Sequence, residues 1–377
     1  MGVKPKVAIV CDWLVARGGA ERVIQGISEI FPEAPIYTSI FNAKKFPEFA
    51  EKKIITSFIQ QLPAALTKHH LYLPLMPYAF EEFDLSEFDI VISSSHSCSK
   101  GIITKPKTLH ICYCHSPMRY VWEDHTKYFQ RFGVPLLLKL PAKNLLHRLR
   151  LWDRLAADRA DAFIANSRHV QLRIEKYYRR DSTVIYPFVD TEKFTPGPEK
   201  PGQYFLAVGR LAAYKRFDLL VDVFRETGIP LIVVGTGKEE KKLMKKGGRF
   251  ITFLGAVSDA ELKNLYQNCK ALVFPQTEDF GITPLEAMSC GKPVIAYSEG
   301  GCLETVIPGK TGLFFMEQTI PSLKKTLFEF QGMGWNAIQI CEHARKFSKK
   351  AFQEQLRNFI DEKWEIWKRD MRAKEPN

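Results

Sequence analysis

No stretch of about eighteen apolar residues occurs anywhere in the chain, so nothing in it has the length and hydropathy of a membrane-crossing helix. No Gly-x-Gly-x-x-Gly follows the first apolar run, residues 7–11, which removes the dinucleotide fingerprint and the nicotinamide oxidoreductase reading that would rest on it. Two pairs of cysteines at metal-ligand spacing are also missing. The eight cysteines are scattered, and Cys112-Tyr113-Cys114-His115 is the one metal-like cluster. It closes an apolar run that reads as a buried strand, and no second ligand pair stands near it, so no metal is expected. No secretory leader precedes Val7, and a chain this long needs no disulfide staples; the cysteines read as reduced and the protein as cytoplasmic. Internal repeats, low-complexity tracts and nucleic-acid-binding modules are absent, and basic residues do not interleave with aromatics, which argues against a nucleic-acid partner.

What is present is an excess of positive charge. Against 42 Asp and Glu stand 54 Lys and Arg, a net +12 that points to an anionic partner such as phosphate groups or the anionic face of a membrane. One segment bears on the membrane. In residues 134–152, eight leucines, from Leu136 to Leu151, mix with Lys139, Lys143, Arg148 and Arg150, and Pro141 is expected to interrupt the segment. The pattern suits a helix lying on a membrane surface, and equally one whose apolar stripe packs on its own domain.

At 377 residues the chain exceeds the usual single domain, and an apolar fraction of 45% suffices for two cores. Short apolar runs alternate with helical periodicity. Residues 7–11 read as a first strand and 20–31 as the helix after it, with Val23, Ile24, Ile27, Ile30 and Phe31 on one face. Runs at 89–93, 108–114, 162–165 and 183–186 continue the series. The Pro- and Gly-rich stretch 195–202 has no apolar pattern and reads as a linker. The rhythm restarts with strands at 204–208, 230–234, 251–254, 271–274, 293–296 and 312–315, and Ser258 with Glu261 makes a capping box that opens a helix over 259–269. The alternation predicts an α/β protein of two doubly wound domains, residues 1–197 and 198–356. The charged helical tail carries Phe352, Leu356, Phe359, Ile360, Trp364 and Trp367, and its part from about 357 to 377 is expected to pack back on the first domain.

Three loops after strands carry chemistry. In the first, Asp12 to Arg22, Gly18 and Gly19 let backbone N–H groups approach an anion at a helix N-terminus, although a Gly-Gly turn is as readily structural. In the second, Arg210 and Lys215 share one strand-end loop and could hold a diphosphate without a metal; the alternative is a solvated surface pair. The third, Phe274-Pro275-Gln276-Thr277-Glu278-Asp279-Phe280-Gly281-Ile282-Thr283-Pro284-Leu285-Glu286-Ala287-Met288, is the most specific. Thr283 reads as a helix cap with Pro284 at the first helical position and Gly291 past the end, which puts Glu286 in the first turn. Glu278 stands on the loop before it. Two carboxylates around one strand-to-helix loop suit sugar and ribose hydroxyls together. Gly309-Lys310-Thr311 imitates the end of a P-loop, but Glu304 stands where that motif needs Gly, and Gly235-Thr236-Gly237-Lys238 lacks the spacing of either nucleotide fingerprint.

The run from Glu278 to Glu286 resembles the E-x7-E motif of glycosyltransferase family 4, the retaining GT-B enzymes that use nucleotide sugars, and the resemblance extends over nearly the whole chain. Gly18-Gly19-Ala20-Glu21 looks like the family's phosphate-facing glycine loop. Cys114-His115-Ser116-Pro117-Met118-Arg119-Tyr120 resembles the His-containing loop of a mannosyltransferase-like branch, and Gly300-Gly301 with Glu304 is similar to the family's Gly-Gly-x-x-Glu run. The resemblance implies two Rossmann-like domains facing across a cleft, the first for the acceptor and the second for the donor. It implies that Arg210 and Lys215 hold the diphosphate and stabilise the leaving group, and that Glu286 binds the ribose hydroxyls. Glu278 would contact the donor sugar, with backbone N–H groups around Phe280, Gly281 and Ile282 helping to position it, and His115 would approach the sugar from the first domain. The loop Gly255-Ala256-Val257-Ser258-Asp259 would meet the base. Val257 and Asp259 are the residues of interest, because Asp259 matches an acidic position that contacts guanine in some relatives.

The reaction implied is transfer of a hexose with retention, mannose from GDP-mannose, by a same-face path in which the departing phosphate takes the acceptor's proton. Arg210, Lys215 and helix N-termini would stabilise the leaving group, so neither a divalent ion nor another cofactor is expected. The expected acceptor is a glycan or a polyprenyl-diphosphate-linked sugar in the synthesis of a bacterial surface polysaccharide, O-antigen or exopolysaccharide, at the inner face of the cytoplasmic membrane, with the protein peripheral there. Two alternatives share the fold: a UDP-sugar donor, and a non-catalytic nucleotide-sugar-binding partner subunit. The latter would lack one of the phosphate or carboxylate positions, and this chain has them all.

Overall fold

The computed structural model describes residues 4–123, 139–197 and 202–373. Its contacts form two units, one made of the chain up to Tyr186 together with the residues from Phe352 onward, the other of Pro187–Ala351. Residues 187–197, assigned by sequence to the first domain, pack within the second unit. There Val189 N donates to Phe347 O at 2.9 Å and Gln267 Nε2 to Thr195 O at 2.9 Å. Four residues of the expected linker, 198–201, lie outside the described residues.

The first unit is built on seven parallel strands: β1 (Val7–Cys11), β2 (Ile36–Thr38), β3 (Ile54–Thr56), β4 (Ile90–Ser95), β5 (Leu109–Cys114), β6 (Ala162–Ala165) and β7 (Thr183–Val184), in the order β3-β2-β1-β4-β5-β6-β7. Every residue of β1, β4 and β5 is buried. Strands covered on both faces read as unbroken apolar runs, which is why these were visible in the sequence. β2 and β3, three residues each, were not; they are too short to show a period. The helix Gly19–Ile30 follows β1 and buries Val23, Ile24, Ile27 and Ile30, the face expected.

The amphipathic segment resolves into the helix Lys139–Ala157, with 134–138 outside the described residues. Pro141 does not interrupt it. It stands third in the described range of the helix. Leu146 and Leu149 are buried in the unit's core, while Leu140, Leu151 and Leu155 stay exposed beside exposed Lys143 and Arg148. The stripe of Leu146 and Leu149 packs on its own unit, as one of the two alternatives expected.

The second unit repeats the plan with six parallel strands: β8 (Phe205–Val208), β9 (Leu231–Val234), β10 (Ile251–Gly255), β11 (Leu272–Phe274), β12 (Val294–Tyr297) and β13 (Gly312–Phe315), ordered β10-β9-β8-β11-β12-β13. The helices Phe217–Thr227 and Ile320–Gln331 cover one core with Leu220, Phe224, Leu323 and Leu327 against Phe205, Val233 and Ile295. Each such side chain contributes about 1.5–3 kcal/mol by leaving water. The final helix, Lys349–Arg372, returns the chain to the first unit. Its Phe352 ring meets Tyr113 edge-on at 6.0 Å, and Arg357 donates to Ile30 O at 2.9 Å. That guanidinium satisfies a last-turn carbonyl of Gly19–Ile30 and opposes the negative end of its dipole.

Strand order reverses once in each sheet, between β1 and β4 and between β8 and β11. At such a reversal the loops leaving the two strands diverge and open a crevice, where ligands of doubly wound sheets bind.

Candidate functional site

At the reversal in the second unit the loops after β8 and β11 bring two sequence-selected residues together. Lys215 Nζ lies 2.8 Å from Glu278 Oε1, both side chains mostly covered. Arg210, exposed on the same loop as Lys215, donates to the Tyr214 hydroxyl at 3.0 Å. The β8 loop is held by a close backbone approach: Leu211 N donates to Thr236 O at 2.9 Å, and a Cβ on Gly235 would stand 2.0 Å from Gly209 O. The glycine turn 235–238 is thus a support for the Arg210–Lys215 loop, because only glycine lets the two backbones touch.

Gly300 and Gly301 do the same for the Glu278 loop. Gly301 N donates to Glu278 O at 2.9 Å, and a Cβ there would meet Phe280 Cα at 2.3 Å. Gln276, just before this loop, is buried, and its Oε1 has no hydrogen-bond partner among the described residues. Phe280 is buried with its ring 6.0 Å from Phe347, which fixes the approach to the next helix.

That helix corrects one sequence expectation. It runs Ile282–Ser289 with Gly281 as its cap at φ 90°, so Thr283 is inside it and Pro284 is the third residue, not the first. A left-handed cap residue suits glycine, which displaced the hydroxyl cap favoured by local rules. Glu286 consequently falls in the second turn, buried, with Oε2 accepting from the Tyr266 hydroxyl at 2.9 Å. The N–H groups of Gly281, Ile282 and Thr283 lie at the helix start, which no side chain caps. At the other end Gly291 closes a Schellman turn, its N–H to Met288 O and that of Lys292 to Ala287 O.

Ser258 caps the helix Asp259–Asn268 by accepting from Glu261 N at 3.2 Å. Asp259 is exposed and pairs with Lys193, Nζ to Oδ2, at 2.5 Å; Val257 before it is half-buried. Lys193 was not selected by sequence. It is 66 positions away, and nothing local marks it.

The other reversal, in the first unit, holds Gly18, Gly19 and His115 along with residues the sequence reading missed. Gly18 and Gly19 are exposed at the start of the helix after β1. Glu21, third in that helix, curls back over the turn; a Cβ on Gly18 would lie 2.9 Å from its Oε2. The chain's own carboxylate thus occupies the place where an anion was expected, and burial pushes that carboxyl up. His115 is buried, with Nε2 2.8 Å from Ser94 Oγ, and burial lowers its imidazole to about 3, so it is neutral in ordinary solution. The missed residues are Asp12 and His96. The Asp12 carboxylate is buried and accepts from four successive backbone N–H groups, His96 to Ser99, at 2.7–2.9 Å, and His96 Nδ1 lies 3.1 Å from its Oδ2. Lys100 pins the same loop from within, donating to Ser97 O at 2.8 Å and pairing with the buried Asp153, which Trp122 and Tyr178 also contact.

Among the described residues no group of three or more His, Cys, Asp or Glu side chains is arranged to hold a metal ion. The cysteines are buried thiols without disulfides, and burial pushes Cys112 up to about 12.

Comparison with known proteins adds to this geometry. The family model described as Glycosyltransferase Family 4 matches residues 17–193, and the one described as Glycosyl transferases group 1 matches residues 188–353. An uncharacterized glycosyltransferase of Methanocaldococcus jannaschii is 30% identical over 231 residues, 58% of this chain and 65% of that protein's own length, just under two thirds. The alpha-1,3/1,6-mannosyltransferase ALG2 of Dictyostelium discoideum is 25% identical over 338 residues, 74% of this chain and 76% of that protein. Among solved structures, Anabaena HepE in complex with UDP and glucose shares the fold at a TM-score of 0.71 and 18% identity, over 95% of this chain and 100% of that one.

Proposed function

Because the chain belongs to glycosyltransferase family 4 and has the paired Rossmann-like units of the GT-B fold, we propose that it is a retaining hexosyltransferase that takes mannose from GDP-mannose. The observation that carries this reading is the Lys215–Glu278 ion pair at the β8/β11 reversal, with Arg210 on the same loop and Glu286 on the helix that follows.

The chemistry follows from charge. A nucleoside diphosphate brings negative oxygens to Lys215 and Arg210, draws the ammonium from Glu278 and releases that carboxylate for the hydroxyls of the donor sugar. As the sugar leaves, charge grows on the diphosphate, and the same two cations together with the uncapped N–H groups at Gly281 and Ile282 stabilise it without a metal ion. Glu286, oriented by Tyr266, takes the ribose hydroxyls. The first unit is read as the acceptor unit, for a glycan or a polyprenyl-diphosphate-linked sugar of a surface polysaccharide. The mannosyltransferase among the relatives supports the choice of sugar.

A UDP-sugar is the second reading, and one observation favours it. The acidic residue expected to accept from guanine, Asp259, pairs with Lys193 instead, and that competes with the base. A peripheral membrane location is supported by the exposed leucines and cations of the helix Lys139–Ala157. No helix among the described residues is long and apolar enough to cross a membrane.

The test is a donor screen with the purified chain, reading thermal shift and slow hydrolysis for GDP- and UDP-sugars. Stabilisation by GDP-mannose above all others is the expected result. Preference for a UDP-sugar overturns the mannose assignment, and no response to any nucleotide sugar overturns the whole reading.

A further inference from the structure

We propose that a cavity over β2 and β3, at the edge of the first unit's sheet, binds a small organic cation, an ammonium group on an apolar body. The inference goes beyond the transfer reading and does not depend on it.

The cavity has a volume of about 360 Å³, within the range of small-molecule sites. Tyr37 of β2 and Ile55 of β3 are register partners, so their side chains leave the same face of the sheet, and both line the cavity. Facing them is the chain that leaves the helix Met76–Glu81, with Phe83 between Glu82 and Asp84. Phe58, exposed just after β3, completes an aromatic lining. β2 and β3 lie on the far side of β1 from β4, and no residue of the loops leaving β1 and β4 lines the cavity. It is therefore separate from the crevice at the β1/β4 reversal.

Tyr37 is the observation that calls for a ligand. It is only 7% exposed, and its ring is set edge-on against Phe83 at 5.3 Å and Phe88 at 6.0 Å. Among the described residues its hydroxyl has no hydrogen-bond partner, although buried polar groups ordinarily have one. Packing of the core around β2 explains the ring and leaves the hydroxyl unexplained.

The chemistry of the lining selects the ligand. Its polar side chains are hydroxyls and carboxylates; it has no Lys, Arg, His, Asn, Gln or Trp, hence no side chain that can only donate. A lining rich in acceptors suits a ligand that donates, and an ammonium donates without accepting. The charge agrees. Among the described residues no cation pairs with Glu82, and hydrogen bonds from Ser86 hold Asp84 below its ordinary value. Lys105 acts on Asp84 but does not line the cavity. At the Tyr37 phenol, burial and then the charges of Glu87 and Asp84 push the group up, so the field on this wall is negative. The rings of Tyr37, Phe58 and Phe83 offer faces and edges to the alkyl part and to the cation itself. Because the whole chain carries +12, a cation is repelled elsewhere on average, and its binding requires a local site of this kind.

The experiment titrates the full chain with cadaverine and with its neutral counterpart pentanediol, read by ligand-observed saturation-transfer NMR, with methyl α-mannoside as a third arm. Saturable binding of cadaverine is expected, with pentanediol at least about tenfold weaker. The double variant Glu82→Gln with Asp84→Asn should bind cadaverine about tenfold less tightly while melting within about 2 °C of wild type, both side chains being exposed. Tyr37→Phe should lose about threefold, the worth of one hydrogen bond. No binding of cadaverine, equal binding of pentanediol, or unchanged affinity in the double variant overturns the proposal. Binding of methyl α-mannoside tighter than cadaverine, weakened by Tyr37→Phe, also overturns it and makes the cavity a sugar site. None of these outcomes bears on donor binding, so the transfer reading stands or falls separately.

Discussion

Lys215 and Glu278 neutralise each other across the reversal of the second sheet, Nζ to Oε1 at 2.8 Å. The pair joins two residues assigned opposite duties, one toward phosphate and one toward sugar, so each must release the other when a donor binds. Glu278→Gln removes the competitor for the ammonium. The free nucleoside diphosphate is then expected to bind up to about fivefold more tightly, the worth of a partly exposed ion pair, while sugar transfer falls. Calorimetry with GDP and UDP checks this; tenfold weaker binding would contradict it.

Gly301 holds the Glu278 loop by backbone contact, with no room for a methyl group 2.3 Å from Phe280 Cα. Its φ of −64° is open to any residue, so Gly301→Ala acts through that contact alone. The variant should fold, melt a few degrees lower, and lose transfer by about a hundredfold, because small misplacements at a reacting centre are costly. Full activity in it would show that the loop is not held there.

Acid should weaken the fold in a defined window. Burial lowers His110 from 6.5 to about 4 and His115 from 6.5 to about 3. Below about pH 6.5 the unfolded chain binds protons that the native chain refuses until about pH 4, so stability falls as pH falls through that range. Each histidine contributes about 1.4 kcal/mol per pH unit. Urea unfolding at several pH values checks the slope, and His115→Asn should flatten it. Stability that is level or rises toward pH 4 would contradict the burial of these rings.

The membrane contact rests on fewer residues than composition suggests. Arg150 donates to Val121 O at 2.8 Å and lies over Trp122, so it serves its own unit. Lys143 and Arg148 are exposed with Leu140 and Leu151. Lys143→Glu with Arg148→Glu should abolish cosedimentation with anionic vesicles, at about 1 kcal/mol per basic residue lost and more for the reversed sign. Unchanged cosedimentation would remove the membrane from the account.

The fold was legible because both sheets are parallel and covered on both faces, which turns strands such as β1 and β11 into uninterrupted apolar runs. The second-unit site was legible because Glu278, Gly281 and Glu286 stand together around one strand-to-helix turn. What stayed hidden depends on distance along the chain or on backbone detail. Asp12 and His96 are 84 positions apart, as the hydrogen bond between them records. Lys193 reaches Asp259 only through the fold. The helix over Glu286 starts earlier than its Thr-Pro pair suggests because Gly281 adopts a conformation that local rules cannot see.

The central claim is that the Glu278–Glu286 turn binds a nucleotide sugar. Glu286 is the residue on which it turns, buried and held by Tyr266. The most direct measurement is isothermal titration of the purified chain and its Glu286→Ala variant with GDP-mannose, repeated with UDP-glucose. The account predicts binding of one donor by the wild type and a loss of about tenfold to a hundredfold in the variant, the cost of hydrogen bonds to a charged group. Equal affinity in both proteins, or no binding of either donor by the wild type, would contradict it.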